Sequence, residues 1–364
     1  QTATSRASTT LRPTMGQAIK GIEISAAFFR EEVLPAIQKG FPHLAERMSC
    51  GVFGNGSDAA GLDDEISHDH HWGPRTNILL SARDCPREAK ELEDYLDRTL
   101  PQTYQGFPVH RVSQTASGVT VESIDDFFKK FTGNARPPRK LTRWFLATEA
   151  DLFHATNGEV FHDPTGELTR RREGFRYYPE LVWKKKLADW CMYFTGRDAP
   201  YNIHRCARRQ DWFSAQVFLG AAIKRAMELA FLLNKTYAPY TKWLYRKFLG
   251  LPRLVPQIDS QLQRVLKTDS WRERVMALVE ISHIYAEEIH RLGLTGPPQF
   301  KPFDESLTDL ILYESALEIY KQVPTEWLHL KFNEVEYWEV MAREVLFDSS
   351  DYFQKRLRTQ KGHE

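Results

Sequence analysis

Early in the chain a glycine-rich turn runs into a dense polar cluster. Gly51, Gly54, Gly56, Ser57 and Asp58 come first; Asp63, Asp64, Glu65, His68, Asp69, His70 and His71 follow. Glycines let a backbone approach a phosphate closely, and successive N–H groups in such a turn form a nest for an anion. If residues 69–71 are extended, Asp69 and His71 share one face and His70 takes the other. A carboxylate beside an imidazole can hold a divalent ion. Carboxylates suit Mg²⁺ or Mn²⁺, and an imidazole shifts the preference toward Mn²⁺, Zn²⁺ or Fe²⁺. The plainer alternative is a solvated loop whose acids cap the next element.

These residues need elements to hold them. Apolar spacing predicts a helix over Gly21 to Lys39, with Pro35 kinking it or ending its regular part. Met48 to Phe53 and Thr76 to Ser81 read as strands, and Arg87 to Leu100 as an amphipathic helix. Val109 to Val112 and Val119 to Ile124 alternate around Ala116-Ser117-Gly118, which suggests a hairpin. Asp125 is then the expected N-cap of a short helix through Phe131. Gly133 to Pro138 is a compositional break. Beyond it helical patterns dominate: Pro179 to Phe194, Cys206 to Asn234, Gln257 to Leu266, Trp271 to Leu292, Glu305 to Lys321 and Val335 to Phe347. The expected fold class is α+β, a mixed sheet with helices followed by an all-α domain. The expected division is a disordered arm over 1–20, a first domain over 21–145 and a helical domain over 146–364.

Composition narrows the function classes. A chain of 364 residues can bury a sizeable core and suggests two domains. Lys and Arg (49) nearly balance Asp and Glu (48), so there is no global basic field of the kind a DNA coater carries. Cys50, Cys85, Cys191 and Cys206 include no C-x-x-C pair and read as reduced thiols of a cytoplasmic protein. The Ser/Thr-rich opening lacks the apolar stretch of a secretory signal. Trp212 to Leu233 is the most apolar segment, but Lys224, Arg225 and Glu228 interrupt it. It reads as a core helix, and no membrane partner is expected.

The pattern resembles the nucleotidyltransferase superfamily, in which a Gly-Ser turn precedes two acids separated by one residue and a third acid lies on a later strand. More specifically, it resembles the uncharacterised family that carries the domain of unknown function 4037. Gly56-Ser57-Asp58, Gly61-Leu62-Asp63-Asp64 and Ser67-x-Asp69-His70-x-Trp72-Gly73-Pro74-Arg75 carry the likeness. Gly158-x-Val160-Phe161-x-Asp163, Tyr178-Pro179 and Leu232-x-Asn234-x-x-Tyr237-x-Pro239-Tyr240-x-Lys242-Trp243 extend it across roughly Gly21 to Pro252. The resemblance implies an enzyme that moves a nucleotidyl group from a nucleoside triphosphate to a small-molecule acceptor. Asp69, His71 and Glu122 would be the catalytic and metal-ligating set, around a divalent cation (Mg²⁺ or Mn²⁺). Asp125 or Asp126 could stand in for Glu122. His71 occupies a position where many relatives place Asp, which departs from an all-oxygen Mg²⁺ site. Gly56, Ser57, Asp58 and Lys242 would bind the nucleotide.

Two other functions compete with this one. The scaffold could serve a biosynthetic enzyme that uses an activated amino acid or aminoacyl-tRNA, or a non-catalytic nucleotide-binding module. tRNA is a possible but unfavoured partner. It would need Arg170-Arg171-Arg172, Lys184-Lys185-Lys186, Arg205 and Arg208-Arg209 to converge as a basic wall, whereas such runs are usually solvated faces. Lys242 reads equally as a phosphate contact or as part of a helix junction closed by aromatic packing, its stem lying along apolar surface. No G-x-S-x-G, H-E-x-x-H or Walker A sequence is present.

Overall fold

The computed structural model describes residues 20–69, 72–109, 118–197, 200–300 and 311–334. The expected arm over 1–20 lies outside them except for Lys20, and so does the expected helix over 335–347. The fold is α+β, with one mixed four-stranded sheet and helices dominating the later part.

The first helical stretch forms α1 (Gly21–Phe28), a five-residue π-helical turn (Phe29–Val33) and α2 (Leu34–Gly40). Pro35 lies inside this continuous helical stretch, and the wide turn before it accommodates the missing N–H. After α3 (Pro42–Ala45), β1 (Ser49–Val52) pairs antiparallel with β2 (Arg75–Leu80). Then come α4 (Cys85–Thr99) and a tight hairpin of β3 (Thr103–Tyr104) and β4 (Phe107–Pro108). Gln105 and Gly106 both take positive φ at the hairpin's tip.

The expected second hairpin has a different form. β5 (Gly118–Ser123) pairs in parallel with β2, in register Asn77 to Thr120 and Leu79 to Glu122. Residues 110–117, which hold most of the expected partner strand, lie outside the described residues. The next helix, α5 (Ile124–Thr132), is capped by Ser123 rather than Asp125. The Ser123 hydroxyl accepts from the N–H groups of Asp125 and Asp126, and the Asp125 carboxylate receives Arg171 at 2.6 Å.

A strand unexpected from sequence completes the sheet. After α6 (Glu149–Thr156), β6 (Glu159–His162) pairs antiparallel with β1, giving the order β5-β2-β1-β6. Two glycines allow this approach. A Cβ on Gly51 would lie 2.1 Å from the Glu159 carbonyl oxygen, and one on Gly158 (φ 77°) would lie 1.9 Å from the Val52 oxygen. Asp163 ties the strand down, accepting from Ser49 on β1 and from the Thr169 N–H and hydroxyl. The boundary expected at 145/146 therefore runs between strands of one sheet.

The helical part comprises α7 (Glu167–Phe175), α8 (Glu180–Met192), α9 (Pro200–Arg208), α10 (Trp212–Leu233), α11 (Leu244–Phe248), α12 (Val255–Lys267), α13 (Trp271–Arg291) and α14 (Ile311–Tyr320). The single helix expected from Cys206 to Asn234 is broken. Gln210 takes a positive φ, and the Asp211 side chain accepts from the Ser214 N–H to start α10 anew. One large core joins the two halves, since Phe53, Leu79 and Phe127 belong to the same buried cluster as Leu187, Leu229 and Ile281. Among the described residues, no helix is long and apolar enough to cross a membrane.

Candidate functional site

A cleft of about 330 Å³ opens where the ends of β1, β2 and β5 meet α5. That is at the lower end of the roughly 300–1,000 Å³ of small-molecule pockets. Phe53, Phe127 and Phe131 give it aromatic walls. Asn77 and Thr120, bonded to each other at 3.0 Å, add polar groups. Arg75, Glu93, Glu122 and Lys130 are its charged side chains; Arg75 is already paired with Asp58, and the Lys130 Nζ lies 3.9 Å from the Glu122 carboxylate and 5.2 Å from the Phe131 ring centre. Burial pushes the Glu122 carboxyl above its ordinary range; Lys130 opposes that shift and Asp126 reinforces it.

The glycine-rich loop forms one edge of this cleft through Gly54 and Asn55 rather than through Gly56, Ser57 and Asp58. Its backbone is strongly pinned. The Phe53 N–H donates to the Asn77 side chain, and the Gly54 N–H donates to Asn157. The Gly54 carbonyl accepts from Asn157 and from His154 Nδ1, which must carry the proton on that contact. Burial holds His154 down at about 4, against the opposing Gly54 hydrogen bond, so the ring is neutral at physiological pH. The N–H groups of Phe53 and Gly54 are thus already engaged by side-chain carbonyls.

The other residues singled out in the sequence divide by role. Asp58 is fully buried and grips Arg75 with both oxygens, at 2.6 and 2.8 Å, while Arg75 also donates to the Asn55 carbonyl. Asp58 therefore sets the shape of the loop. The buried Ser57 hydroxyl has no hydrogen-bond partner, and Gly56 provides a positive-φ turn. Asp63 caps α1, accepting from the Gly21 N–H at 2.7 Å and from Trp72 Nε1 at 3.0 Å. Its burial would raise its pKa, but these bonds and Lys20 outweigh burial and hold it below the ordinary range. Asp64 is held low chiefly by Arg246, 2.7 Å away, which ties the loop to α11. Asp69 closes a short 3₁₀ turn (Glu65–Asp69), but its side chain and all of His71 lie outside the described residues. Among the described residues, no three His, Cys, Asp or Glu donors come together, so Glu122 alone represents the expected metal set.

Lys242 is exposed and lies outside the cleft lining, with its Nζ 5.0 Å from the Trp243 ring centre. The stretch around it is a helix junction. Tyr237 donates to the Phe175 carbonyl, Asn234 exchanges hydrogen bonds with the Arg253 backbone, and Tyr240 stacks on His154.

Two of the basic runs do not form a wall. Arg171 is buried between Asp125 and Glu167, and Arg172 donates to the carbonyls of Thr156, Asn157 and Gly158. Lys185 and Lys186 are each 1% exposed, because adjacent positions on one turn of α8 both face the surrounding helical core. Lys185 pairs with Asp189 at 2.6 Å. Lys186 lies 3.9 Å from Glu149, 4.1 Å from the Trp190 ring centre and 4.7 Å from that of Phe332.

That lysine opens onto a second charged region. Arg225 bonds Glu228 at 2.7 Å, meets Glu334 at 3.4 Å and lies 4.6 Å from the Trp190 ring centre. Burial pushes Glu149 up to about 7, with Lys186 opposing the shift and Glu228 adding to it. One Glu149 oxygen and the Tyr178 hydroxyl are buried without hydrogen-bond partners. Sequence reading missed this cluster, because it assembles from separate elements, with Glu149 on α6, Lys186 on α8, Arg225 and Glu228 on α10, and Glu334 near the end of the described residues. The available signal was the isolated Glu228 and Arg225 inside an otherwise apolar helix.

Fold and geometry define an α+β protein with an aromatic, charged cleft at the end of its sheet. Residues 144–244 match the family described as a domain of unknown function, DUF4037. The match takes in Gly158 to Asp163, Tyr178-Pro179, Lys186, Arg225 and Lys242-Trp243, and it stops short of the Gly56 to Arg75 string. Among curated proteins, none matches the chain. A solved nucleotidyltransferase-like protein from Exiguobacterium sibiricum 255-15 is loosely similar, at 10% identity and a TM-score of 0.36. The alignment covers 80% of this chain and 91% of that one.

Proposed function

We propose that the chain is a nucleotidyltransferase-like enzyme that moves a nucleotidyl group from a nucleoside triphosphate to a small-molecule acceptor. The observation carrying this reading is the cleft itself. Phenyl rings for a base, Lys130 for a phosphate and the carboxylate of Glu122 line one opening beside the glycine-rich loop. Burial makes the Glu122 carboxylate more basic than an exposed one, which suits a group that takes a proton from the acceptor. Lys130, held beside Glu122, would meet the triphosphate as a point charge. Asp58 would act indirectly, by locking Arg75 and the loop. A divalent cation held by Asp69, His71 and Glu122 would neutralise charge on the phosphoryl oxygens when bound. The likeness in the Gly-Ser and Asp69 string supports the same reaction class, although a fold alone does not fix a reaction.

The test is turnover of a nucleoside triphosphate by purified Glu122→Gln. The substitution keeps volume and removes the charge. Turnover should fall by about 10²-fold or more, in the range typical of a lost general base, with the melting temperature preserved. Unchanged turnover removes Glu122 from the chemistry.

A further inference from the structure

The basic run that stays on the surface belongs to a different part of the molecule. α9 packs against α10 and α13, and the C-terminal end of α9 meets the N-terminal ends of the other two. Trp212 and Trp271 are the first residues of α10 and α13, and their rings stack 15° from parallel with centres 6.2 Å apart. Arg274 lies 4.6 Å from the Trp271 ring centre. Arg205, Arg208 and Arg209 line the end of α9, all exposed, and Arg272 is exposed on α13. His204 registers the convergence: burial lowers its pKa, and Arg208 and Arg272 both lower it further. Arg264 and Lys267 end α12 beside this corner.

The acids here do not cancel that charge. Asp211 is used in capping α10, and Glu273 both pairs with Arg264 and stands in the first turn of α13. Asp269 alone remains exposed without such a role. The corner also receives the positive ends of two long helices, of 22 and 21 residues. Beside the cations, rings face solvent. Phe213 is 88% exposed and Trp212 49%.

We infer that this corner binds single-stranded nucleic acid, with arginines on the phosphates and Phe213 and Trp212 as stacking platforms for unpaired bases. Cations alone would suit any polyanion. Exposed rings set among arginines select a polyanion that carries planar, unstacked groups. The corner is separate from the sheet cleft, so the inference stands or falls independently of the proposed reaction. It fits a nucleic acid as partner or as carrier of the acceptor group.

The experiment is fluorescence anisotropy of the full chain with a labelled oligouridylate of about 15 nucleotides, long enough to span a typical single-strand site. A duplex of equal length and phosphatidylserine vesicles serve as the other probes. The single strand should bind more tightly than the duplex. Phe213→Ser should weaken it by roughly five- to hundred-fold with little change in salt dependence. Arg208→Ala and Arg272→Ala should each reduce the slope of log K against log salt by roughly 0.7. Phe213 is exposed, so its replacement leaves the fold intact, and an unchanged melting temperature of that variant checks this. No binding of the single strand at roughly 50 mM salt overturns the inference. Wild-type affinity in Phe213→Ser, or binding to the vesicles in place of the oligonucleotide, does the same.

Discussion

The sheet cleft and the buried cluster around Lys186 use the same residue types under opposite conditions. In the cleft, Glu122 and Lys130 stand 3.9 Å apart with their side chains 27% and 38% exposed, so water or a ligand can reach both. In the cluster, Glu149 and Lys186 stand the same distance apart at 8% and 1%, enclosed by Tyr178, Trp190 and Phe332. Removing a charge from the first should alter binding and leave the fold. Removing one from the second should alter the fold, because an ion left without its partner in an apolar interior is strongly unfavourable. The matched family segment covers most of the buried cluster and does not reach Glu122. The matched segment thus holds most of the buried charged cluster, while the cleft draws on the preceding hundred residues.

The largest effect should come from Arg225→Met. It removes the guanidinium from Glu228, which keeps the Trp190 Nε1 hydrogen bond and Lys224 at 4.0 Å, and Glu334 also loses a partner; breaking such a buried pair costs about 3–5 kcal/mol. Urea unfolding should show that loss, and a change below about 1 kcal/mol, the range of surface pairs, would mean that water reaches the cluster. Asp58→Asn follows. Arg75 would keep the Asn55 carbonyl but lose the charge that balances it in a site where both side chains are under 10% exposed. Stability should fall by about 3 kcal/mol, again as for a broken buried pair, and nucleotide binding should fall with it. Full stability together with lost binding would make Asp58 a direct ligand contact instead of a loop anchor.

A smaller effect concerns pH. Glu149 titrates at about 7 when folded and near the ordinary carboxyl value, about 4.3, when unfolded. The folded state therefore holds the proton more tightly between those values. The Glu149 contribution to stability is fully present below about pH 4.3 and is lost as pH rises toward 7. The difference in unfolding free energy between wild type and Glu149→Gln should shrink or change sign across that window and level off above it. A difference that stays flat with pH would show that Glu149 is ionised throughout.

Much of this arrangement was legible from local pattern. β1, β2, α4, α12 and α13 lie within a few residues of their expected positions, because apolar periodicity and caps are written into contiguous sequence. β6 was not legible. It is four residues long, lies among helices and depends on Gly51 and Gly158 meeting across more than a hundred positions. The burial of Lys185 and Lys186 escaped for a similar reason, since a lysine run reads as solvated until Asp189, Glu149 and the rings around them are in place. In the site, Glu122 was legible as an acid on a late strand, and the structure puts it in the cleft. The role of Lys130 was not, because only the turn from β5 into α5 brings it back over Glu122. The Arg208 and Arg272 convergence likewise needs α9 and α13 to pack.

The most direct measurement is calorimetric titration of ATP into wild type, Lys130→Met and Lys242→Met in parallel. Each substitution keeps most of the aliphatic stem and deletes one charge. The cleft account predicts that Lys130→Met weakens binding by roughly ten- to hundred-fold, the value of about 1.5–3 kcal/mol for a charge-assisted contact. It also predicts that Lys242→Met stays close to wild type. Wild-type affinity in Lys130→Met, with the loss falling on Lys242→Met, would contradict it and move the nucleotide to the helix junction beside Trp243.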